Sequence, residues 1–327
     1  MNSECVVKSN RQTERLDLLA NVAEMYFLQG KNQVEIARNL GMTRSNISRM
    51  LTEARNSGII QIQINRPLQE NQTLSQKLVE RFNLINARVV AVDHSSRLLE
   101  KLGQIAGREL LDQLKPGSIL GTSWGTAISA TVEQLDVAHP ISGIKIVQLL
   151  GALGARIKEY DGHAIVRRLE EKLDAEGIYI NAPFLVENKK VASSLLDNKS
   201  VEESLSFGKQ ADIALLGVGS SELAHCSYYL ANYVTRNEIQ AIRKTGAIGD
   251  VCGRFFNIEG DITAMDFQER SIGISHQNLM NIPIRVGVAG GSAKINPIIG
   301  ALRSGLINIL VSDEATISEV MKRTESY

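Results

Sequence analysis

The sequence contains no apolar run that approaches the ~20 residues needed to span a bilayer. Its first residues, MNSECVVKSNRQTER, also lack the basic end and apolar core of a secretory signal. We therefore expect the protein to work in the cytoplasm, where thiols stay reduced. Its three cysteines agree with that setting, because they form no CxxC pair and no cysteine or histidine cluster has zinc-site spacing. No metal and no cofactor is predicted.

The established nucleotide-binding fingerprints are missing as well. The stretch GVAGGSAK, residues 287–294, lacks the six-residue frame that ends in Lys-Ser or Lys-Thr in a P-loop. No GxGxxG opens a helix after a strand with an acidic residue about 20 positions later, as dinucleotide binding requires. The glycine-rich stretches of this chain therefore need another explanation.

The chain also lacks an excess of charge of either sign: its net charge is zero, yet the charges are unevenly distributed. Residues 1–66 hold nine Lys or Arg and six Asp or Glu, whereas the remainder holds 27 and 30. A basic end on a neutral chain indicates a polyanionic partner, although a chance imbalance would look the same.

Three predicted helices follow one another in this basic segment. The stretch RLDLLANVAEMYFLQG repeats apolar residues at helical spacing up to Gly30. In QVEIARNLGMTRSNISRMLTEARNSG, Gly41 permits a tight turn after a short helix, Thr43 suits the cap of the next helix, and Gly58 ends it. Two short helices joined by such a turn form a helix-turn-helix, so we predict DNA binding. The alternative is a plain helical hairpin.

The third helix of this motif is the one expected in the major groove. Its outward side chains are predicted to contact DNA: Thr43, Arg44, Ser45, Asn46, Ser48, Arg49 and Thr52. Arginine pairs with guanine and asparagine with adenine, whereas serine and threonine suit phosphates or bases. We expect Arg44 and Arg49 to matter most. The alternating stretch IIQIQIN, residues 59–65, predicts a wing or bridging strand.

Beyond an amphipathic connector helix in residues 67–86, short apolar runs alternate with helical stretches. The runs are at 87–92, 118–124, 144–151, 178–184, 212–220, 285–291 and 307–313. The helical stretches are at 97–114, 126–134, 161–173, 187–196 and 297–304. This alternation predicts a mostly parallel, Rossmann-like sheet covered on both faces. In the irregular region 221–283 we predict a helix near 235–244 and an antiparallel strand pair.

Ligands of such sheets bind at the carboxyl ends of the strands. Five glycine-rich loops are expected there: GTSWGTAIS (121–129), LLGALGAR (149–156), LLGVGSS (215–221), GAIGDVCGRFF (246–256) and AGGSAK (289–294). The amides and helix start of the first loop suit a phosphate. Asp250 suits sugar hydroxyls, and Lys294 adds a cation beside a helix start. Trp124 suits either stacking on a sugar ring or burial in the core. Together the loops predict a ligand pocket.

These features together resemble the SorC/DeoR-type family of bacterial sugar-responsive transcriptional regulators. The resemblance extends over nearly the whole chain, and it is carried by QVEIARNLGMTRSNISRMLTEARNSGIIQIQI, GTSWGTAI, ADIALLGVGS, GAIGDVCGRFFNIEG and VGVAGGSAKINPIIGALRSGLINILVSDEAT. It implies an α-helical, winged helix-turn-helix domain at 1–66, the connector at 67–86, and an α/β effector-binding and oligomerisation domain at 87–327. The effector domain of that family is similar to sugar-phosphate isomerases and deaminases, without their catalysis.

The resemblance also implies the partners and the effector site. The effector is a phosphorylated sugar or polyol, and the residues assigned to it are Thr122, Ser123, Trp124, Gly125, Thr126, Gly151, Asp250 and Lys294. Double-stranded operator DNA and a homotetramer are implied as well; the apolar residues Val22, Tyr26 and Phe27 suit either a subunit contact or the core of the small domain. No covalent lysine adduct is predicted. The alternatives are an isomerase- or deaminase-like enzyme carrying a DNA-binding module, and a DNA-binding structural protein without effector.

Overall fold

A computed structural model describes residues 3–60, 68–91, 97–152 and 160–325, with side chains of the first helix given at residue 13 and from residue 15 onward. The chain divides into two compact units, Met1–Pro67 and Leu68–Tyr327. Most of the predicted wing strand and part of the predicted loop 149–156 lie outside the described residues. None of the described helices combines the length and the apolar character that crossing a membrane requires.

The first unit is built from three helices: α1 (Ser3–Phe27), α2 (Gln33–Leu40) and α3 (Arg44–Asn56). Asn32 caps α2 and forms a capping box with Glu35. Gly41 follows α2 at φ 63°, a left-handed conformation that favours glycine, and Thr43 then caps α3. The predicted helix–glycine turn–helix is therefore confirmed.

A small apolar core holds these three helices together. Its fully or nearly fully buried members are Leu19, Val22, Ile36, Ala37, Ile47, Met50 and Ala54. Val22 is thus a core residue of the small unit. Tyr26 and Phe27, at the end of α1, are instead 36% and 48% exposed. Of the two roles considered for these three residues, burial accounts for Val22 alone.

The second unit contains one sheet of nine strands within the described residues. They are β1 (Asn86–Val90), β2 (Ile119–Thr122), β3 (Lys145–Gln148), β4 (Glu176–Ile178), β5 (Ile213–Ser220), β6 (Gly249–Val251), β7 (Arg254–Phe256), β8 (Ile284–Val288) and β9 (Ile309–Asp313). The order β1-β9-β8-β5-β2-β3-β4 is parallel throughout, and β6 pairs antiparallel with the end of β5. After β2 the chain adds β3 and β4 on one side, then β5, β8 and β9 on the other. The topological switch point therefore lies between β2 and β5.

Helices cover both faces of this sheet, as the strand–helix alternation predicts. They are α4 (Gln72–Phe82), α5 (Leu98–Gln113), α6 (Thr126–Glu133), α7 (Gly162–Leu173), α8 (Lys189–Leu196), α9 (Lys199–Lys209), α10 (Ser227–Leu230), α11 (Arg236–Lys244), α12 (Met265–Glu269), α13 (His276–Met280), α14 (Ile295–Arg303) and α15 (Glu314–Arg323). A 3₁₀ turn, Ser292–Lys294, precedes α14. The connector helix α4 packs on β1 and α15, and its Leu78 is fully buried.

Between β3 and β5, two elements differ from the sequence-based expectations. Of the strand predicted at 178–184, only Ile178 belongs to β4; the rest is irregular, and it is apolar because it supplies core residues such as the fully buried Phe184. Helix α9 was not expected, since its sequence KSVEESLSFGK is mostly polar and buries only a narrow stripe that includes Val201 and Leu205. The predicted antiparallel pair and helix within 221–283 are confirmed as β6–β7 and α11.

Candidate functional site

A cavity opens where β2, β5 and β8 end, beside the switch point of the sheet. The space between its walls, including the open mouth, is about 630 Å³. Six of the eight residues assigned to the effector lie in its wall: Ser123, Trp124, Gly125, Thr126, Asp250 and Lys294. Loops that are far apart in the sequence thus meet at one point, because parallel strands end at the same edge of the sheet.

The other two assigned residues lie outside the cavity wall. Thr122 is fully buried at the end of β2, and its hydroxyl donates to the carbonyl of Ser123 at 2.9 Å. A Cβ added to Gly151 would lie 2.7 Å from the carbonyl carbon and oxygen of Pro183. That glycine permits a close backbone approach, so both residues have structural contacts here, and their assignment to the effector stays a prediction.

The start of α6 forms one end of the cavity. Gly125 precedes this helix with φ 134° and ψ 167°, and no side chain of the described residues caps the first turn. Thr126, the first residue of α6, is exposed. Uncapped amides at a helix start, together with the helix dipole, favour an anion. The Ser123 hydroxyl contributes less than expected, since it is buried and accepts a hydrogen bond from the Gly217 amide at 3.3 Å.

Lys294 brings a cation to the same cavity from the turn before α14. Gly291 begins that turn at φ 91°, and its amide donates to Asp313 and Thr316 at 2.9 and 2.8 Å. Within the part of the chain that the structure describes, no hydrogen bond or ion pair engages the Lys294 ammonium. Burial lowers the pKa of Lys294, and the nearby charge of Asp250 opposes that shift. A partly desolvated ammonium without a partner is suited to hold an anionic ligand.

Asp250, on β6, supplies the cavity with a buried carboxylate. Its Oδ2 accepts from the Tyr228 hydroxyl at 2.6 Å and from the Gly253 amide at 3.1 Å. Burial raises the pKa of Asp250, whereas these two hydrogen bonds and Lys294 lower it. Burial also raises the pKa of Tyr228 well above its usual value, so the phenol stays a donor. Sequence reasoning missed Tyr228, which lies on a four-residue helix in the irregular region and has no motif or periodicity around it.

Cys252, which also lines the cavity, belongs to the two-residue turn between β6 and β7. Cys252 and Gly253 have φ 52° and 72°, the pattern of a tight hairpin turn. Burial raises the pKa of Cys252 to about 12. Its sulfur therefore stays a thiol near neutral pH and is not set up as a nucleophile.

Trp124 is largely a core residue that shows one side to the cavity. It is 8% exposed and packs edge-on against Tyr228 and Phe184, with ring centroids 5.2 and 5.8 Å apart. Its indole Nε1 has no hydrogen-bond acceptor among the described residues. Burial in the core thus accounts for most of this side chain, and the indole N–H is left over as a donor.

Ligand entry is expected to change the fluorescence of this indole, because Trp124 is the single tryptophan of the sequence and lines the cavity. Excitation at a tryptophan-selective wavelength during a sugar-phosphate titration tests this directly. The Trp124→Phe variant, which keeps an aromatic ring, is the control that should lose the signal. Heat of binding in calorimetry without any change in emission would place the ligand elsewhere.

In the first unit, the seven residues predicted to contact DNA lie on α3 and at its cap, Thr43. Six of them are exposed; Asn46 is half-buried. The Thr43 hydroxyl accepts a hydrogen bond from the backbone N–H of Asn46 at 3.2 Å, so the Thr43 side chain caps the helix. Arg49 Nη2 donates to Asn46 Oδ1 at 2.6 Å. The two residues with the clearest base preferences are therefore neighbours on one face.

The charge of α3 also suits a polyanion. The helix contains Arg44, Arg49 and Arg55 and a single acid, Glu53. Arg15 on α1 pairs with Glu53 at 2.5 Å, and this pairing lowers the pKa of Glu53. This pair neutralises the one negative charge of the helix, so the positive charge of the exposed arginines is not reduced by Glu53.

Comparison with known proteins places these two units in context. A family model described as "Putative sugar-binding domain" matches residues 66–322. The chain is 29% identical over 314 residues to the sorbitol operon regulator of Klebsiella pneumoniae, covering 95% of this chain and 99% of that protein. It is 29% identical over 307 residues to the deoxyribonucleoside regulator of Bacillus subtilis, covering 93% and 96%. The crystal structure of the full-length sorbitol operon regulator SorC from Klebsiella pneumoniae matches with a TM-score of 0.71 at 29% identity, over 93% of this chain and 98% of that one.

Proposed function

This chain belongs to the SorC/DeoR-type family of sugar-binding transcriptional regulators, and on that premise we propose that a phosphorylated sugar or polyol controls its binding to operator DNA. The observation that carries the proposal is the cavity at the switch point. It combines a helix start and an ammonium, that of Lys294, which both lack side-chain partners among the described residues, with the carboxylate of Asp250. An anion and a hydroxyl-bearing body are the two parts of a ligand that these groups complement.

The two ends of the ligand are assigned by charge. The phosphate goes to the amides at the start of α6 and to Lys294, because both attract negative charge. Asp250 would repel a phosphate oxygen but accepts a hydrogen bond from a hydroxyl. A sugar phosphate bound in this orientation satisfies the cation and the carboxylate at once.

Operator recognition is assigned to the first unit. There α3 enters the major groove, with Arg44 and Arg49 toward base edges and Thr43 as the cap of the helix. One helix-turn-helix gives modest affinity, and two-fold pairing on repeated half-sites is the usual remedy. We therefore propose a homo-oligomer, a tetramer in analogy with the family, acting in the cytoplasm.

Control follows from linkage between the two sites. If the effector binds one arrangement of the oligomer more tightly than another, it shifts the population by that difference in affinity, and DNA binding changes by the same factor. Binding alone is enough for this mechanism, and the relatives described above are regulators. We therefore propose no turnover at the cavity.

The test is operator binding in the presence of a panel of sugar phosphates. A half-site selected from random DNA supplies the operator, and fluorescence anisotropy measures its affinity. We expect at least one phosphorylated sugar or polyol to change the Kd by about 5- to 150-fold, the usual range of allosteric coupling. The matching unphosphorylated sugars are the control and should act far more weakly. An unchanged Kd with every member of the panel would contradict the proposal.

A further inference from the structure

The two carboxylate oxygens of Asp250 differ in the hydrogen bonds that they accept. Both donors that reach this carboxylate, the Tyr228 hydroxyl and the Gly253 amide, bind Oδ2. Among the described residues, none donates to Oδ1. The carboxylate therefore faces the cavity with one oxygen already committed and one oxygen open to a ligand donor.

Gly219 makes room for that open oxygen. This residue pairs with Asp250 across β5 and β6, and a Cβ added to it would lie 1.8 Å from Asp250 Oδ1. Any side chain at this position would push the carboxylate away. The bare backbone of β5 thus lets Oδ1 lie directly over the strand at the cavity wall.

Tyr228 is held in place by a cluster of aromatic rings. Its ring lies 5.2 to 5.7 Å, centroid to centroid, from those of Trp124, Phe184, Phe255 and Phe267. The side chain is 3% exposed. A ring fixed on several sides has little freedom to turn its hydroxyl away, so its hydrogen bond fixes the plane of the Asp250 carboxylate.

We infer that Tyr228 is a positioning residue that presents Asp250 Oδ1 to one hydroxyl of the effector, and thereby makes the site reject the analogue that lacks this hydroxyl. The inference rests on the proposed function, since it concerns how the same cavity reads its ligand. A site built to bind a hydroxyl discriminates strongly against its absence, because the buried Oδ1 would then have no donor.

The experiment uses Tyr228→Phe, which keeps the ring and removes the hydroxyl. Tyr179→Phe is the matched control: the Tyr179 hydroxyl also donates to a carboxylate, that of Glu170, but this pair lies outside the cavity wall. The probes are glucose 6-phosphate, ribose 5-phosphate and sorbitol 6-phosphate, followed by the monodeoxy analogues of the one that binds best. Calorimetry gives each Kd, and thermal unfolding checks that both variants fold.

In the unmodified protein, loss of one particular hydroxyl should weaken binding by about 100-fold or more, and loss of the others by much less. Tyr228→Phe should weaken binding of the parent sugar phosphate by about 10-fold and leave the affinity for the deoxy analogue nearly unchanged. The discrimination between the two ligands should therefore fall by about 10-fold. Tyr179→Phe should retain both the affinity and the discrimination.

Equal losses for the parent and the deoxy analogue would assign Tyr228 a purely structural role and overturn the inference. Unchanged discrimination in Tyr228→Phe would overturn it as well, while leaving the proposed function intact. Absence of binding by any sugar phosphate to the unmodified protein would reject the proposed function and the inference with it.

Discussion

Replacing Lys294 by alanine is expected to abolish the response of operator binding to the effector while leaving effector-free DNA binding unchanged. No hydrogen bond or ion pair engages the ammonium of Lys294 among the described residues, so its removal costs these residues only the favourable charge beside Asp250. For a bound phosphate the situation is different, because loss of one partner from a desolvated charge pair costs about 2–5 kcal/mol. The Kd of the effector should therefore rise by about 30-fold to several thousand-fold.

The measurement is a pair of titrations, effector by calorimetry and operator by anisotropy. Lys294→Met keeps most of the side-chain volume and should behave like Lys294→Ala, which separates charge from packing. Lys322→Ala is the matched control, since Lys322 on α15 is 72% exposed and only loosely paired with Glu319 at 3.9 Å. If Lys294→Ala also destroys effector-free DNA binding, the lysine is structural and the site assignment is wrong.

The same lysine predicts a direction for the pH dependence. Burial lowers its pKa, and a neutral amine attracts a phosphate far less than an ammonium does. Effector affinity should therefore be highest below that lowered pKa and fall as the pH rises through it.

The place of this site in the fold was predictable from the sequence because strand–helix alternation fixes which loops share an edge. The loops with Trp124 and Lys294 both follow parallel strands, β2 and β8, so they share one edge of the sheet; they meet there because only β5 lies between these strands. Individual residues were less predictable. Thr122 adjoins the site in sequence, but successive strand residues point to opposite sides, and its hydroxyl bonds locally instead. Gly151 is required by the approach of Pro183, a contact that no local pattern encodes.

Asp250 and Tyr228 show which parts of the site could not be predicted from the sequence. Asp250 was conspicuous as a carboxylate among glycines, yet its position depends on β6 pairing antiparallel with the end of β5. Such pairing joins segments that are distant in sequence and is set by packing rather than by periodicity. Tyr228 lies on a single helical turn, too short to give a periodic signal, and its role appears only when the aromatic cluster is assembled.

The second large effect is expected on α3, the helix assigned to the major groove, where Arg49→Ala should weaken operator binding by about 1–3 kcal/mol, or roughly 5- to 150-fold. Arg49 is exposed on α3 and hydrogen-bonded to Asn46, so its guanidinium is held beside the residue with the next clearest base preference. The loss should be confined to sequences that carry the matching base, since a base contact carries sequence information and a phosphate contact does not.

Arg55→Ala on the same helix is the matched control for Arg49→Ala. Arg55 lies in the last turn of α3, away from the turns expected at base edges, so its removal should cause a smaller loss that is equal for all sequences. Operator and scrambled DNA are compared by anisotropy at several salt concentrations. An equal loss on both by Arg49→Ala would make that residue a phosphate contact. Effector binding should survive in Arg49→Ala, as DNA binding should in Lys294→Ala, because each variant changes one unit and leaves the other unit's contacts in place.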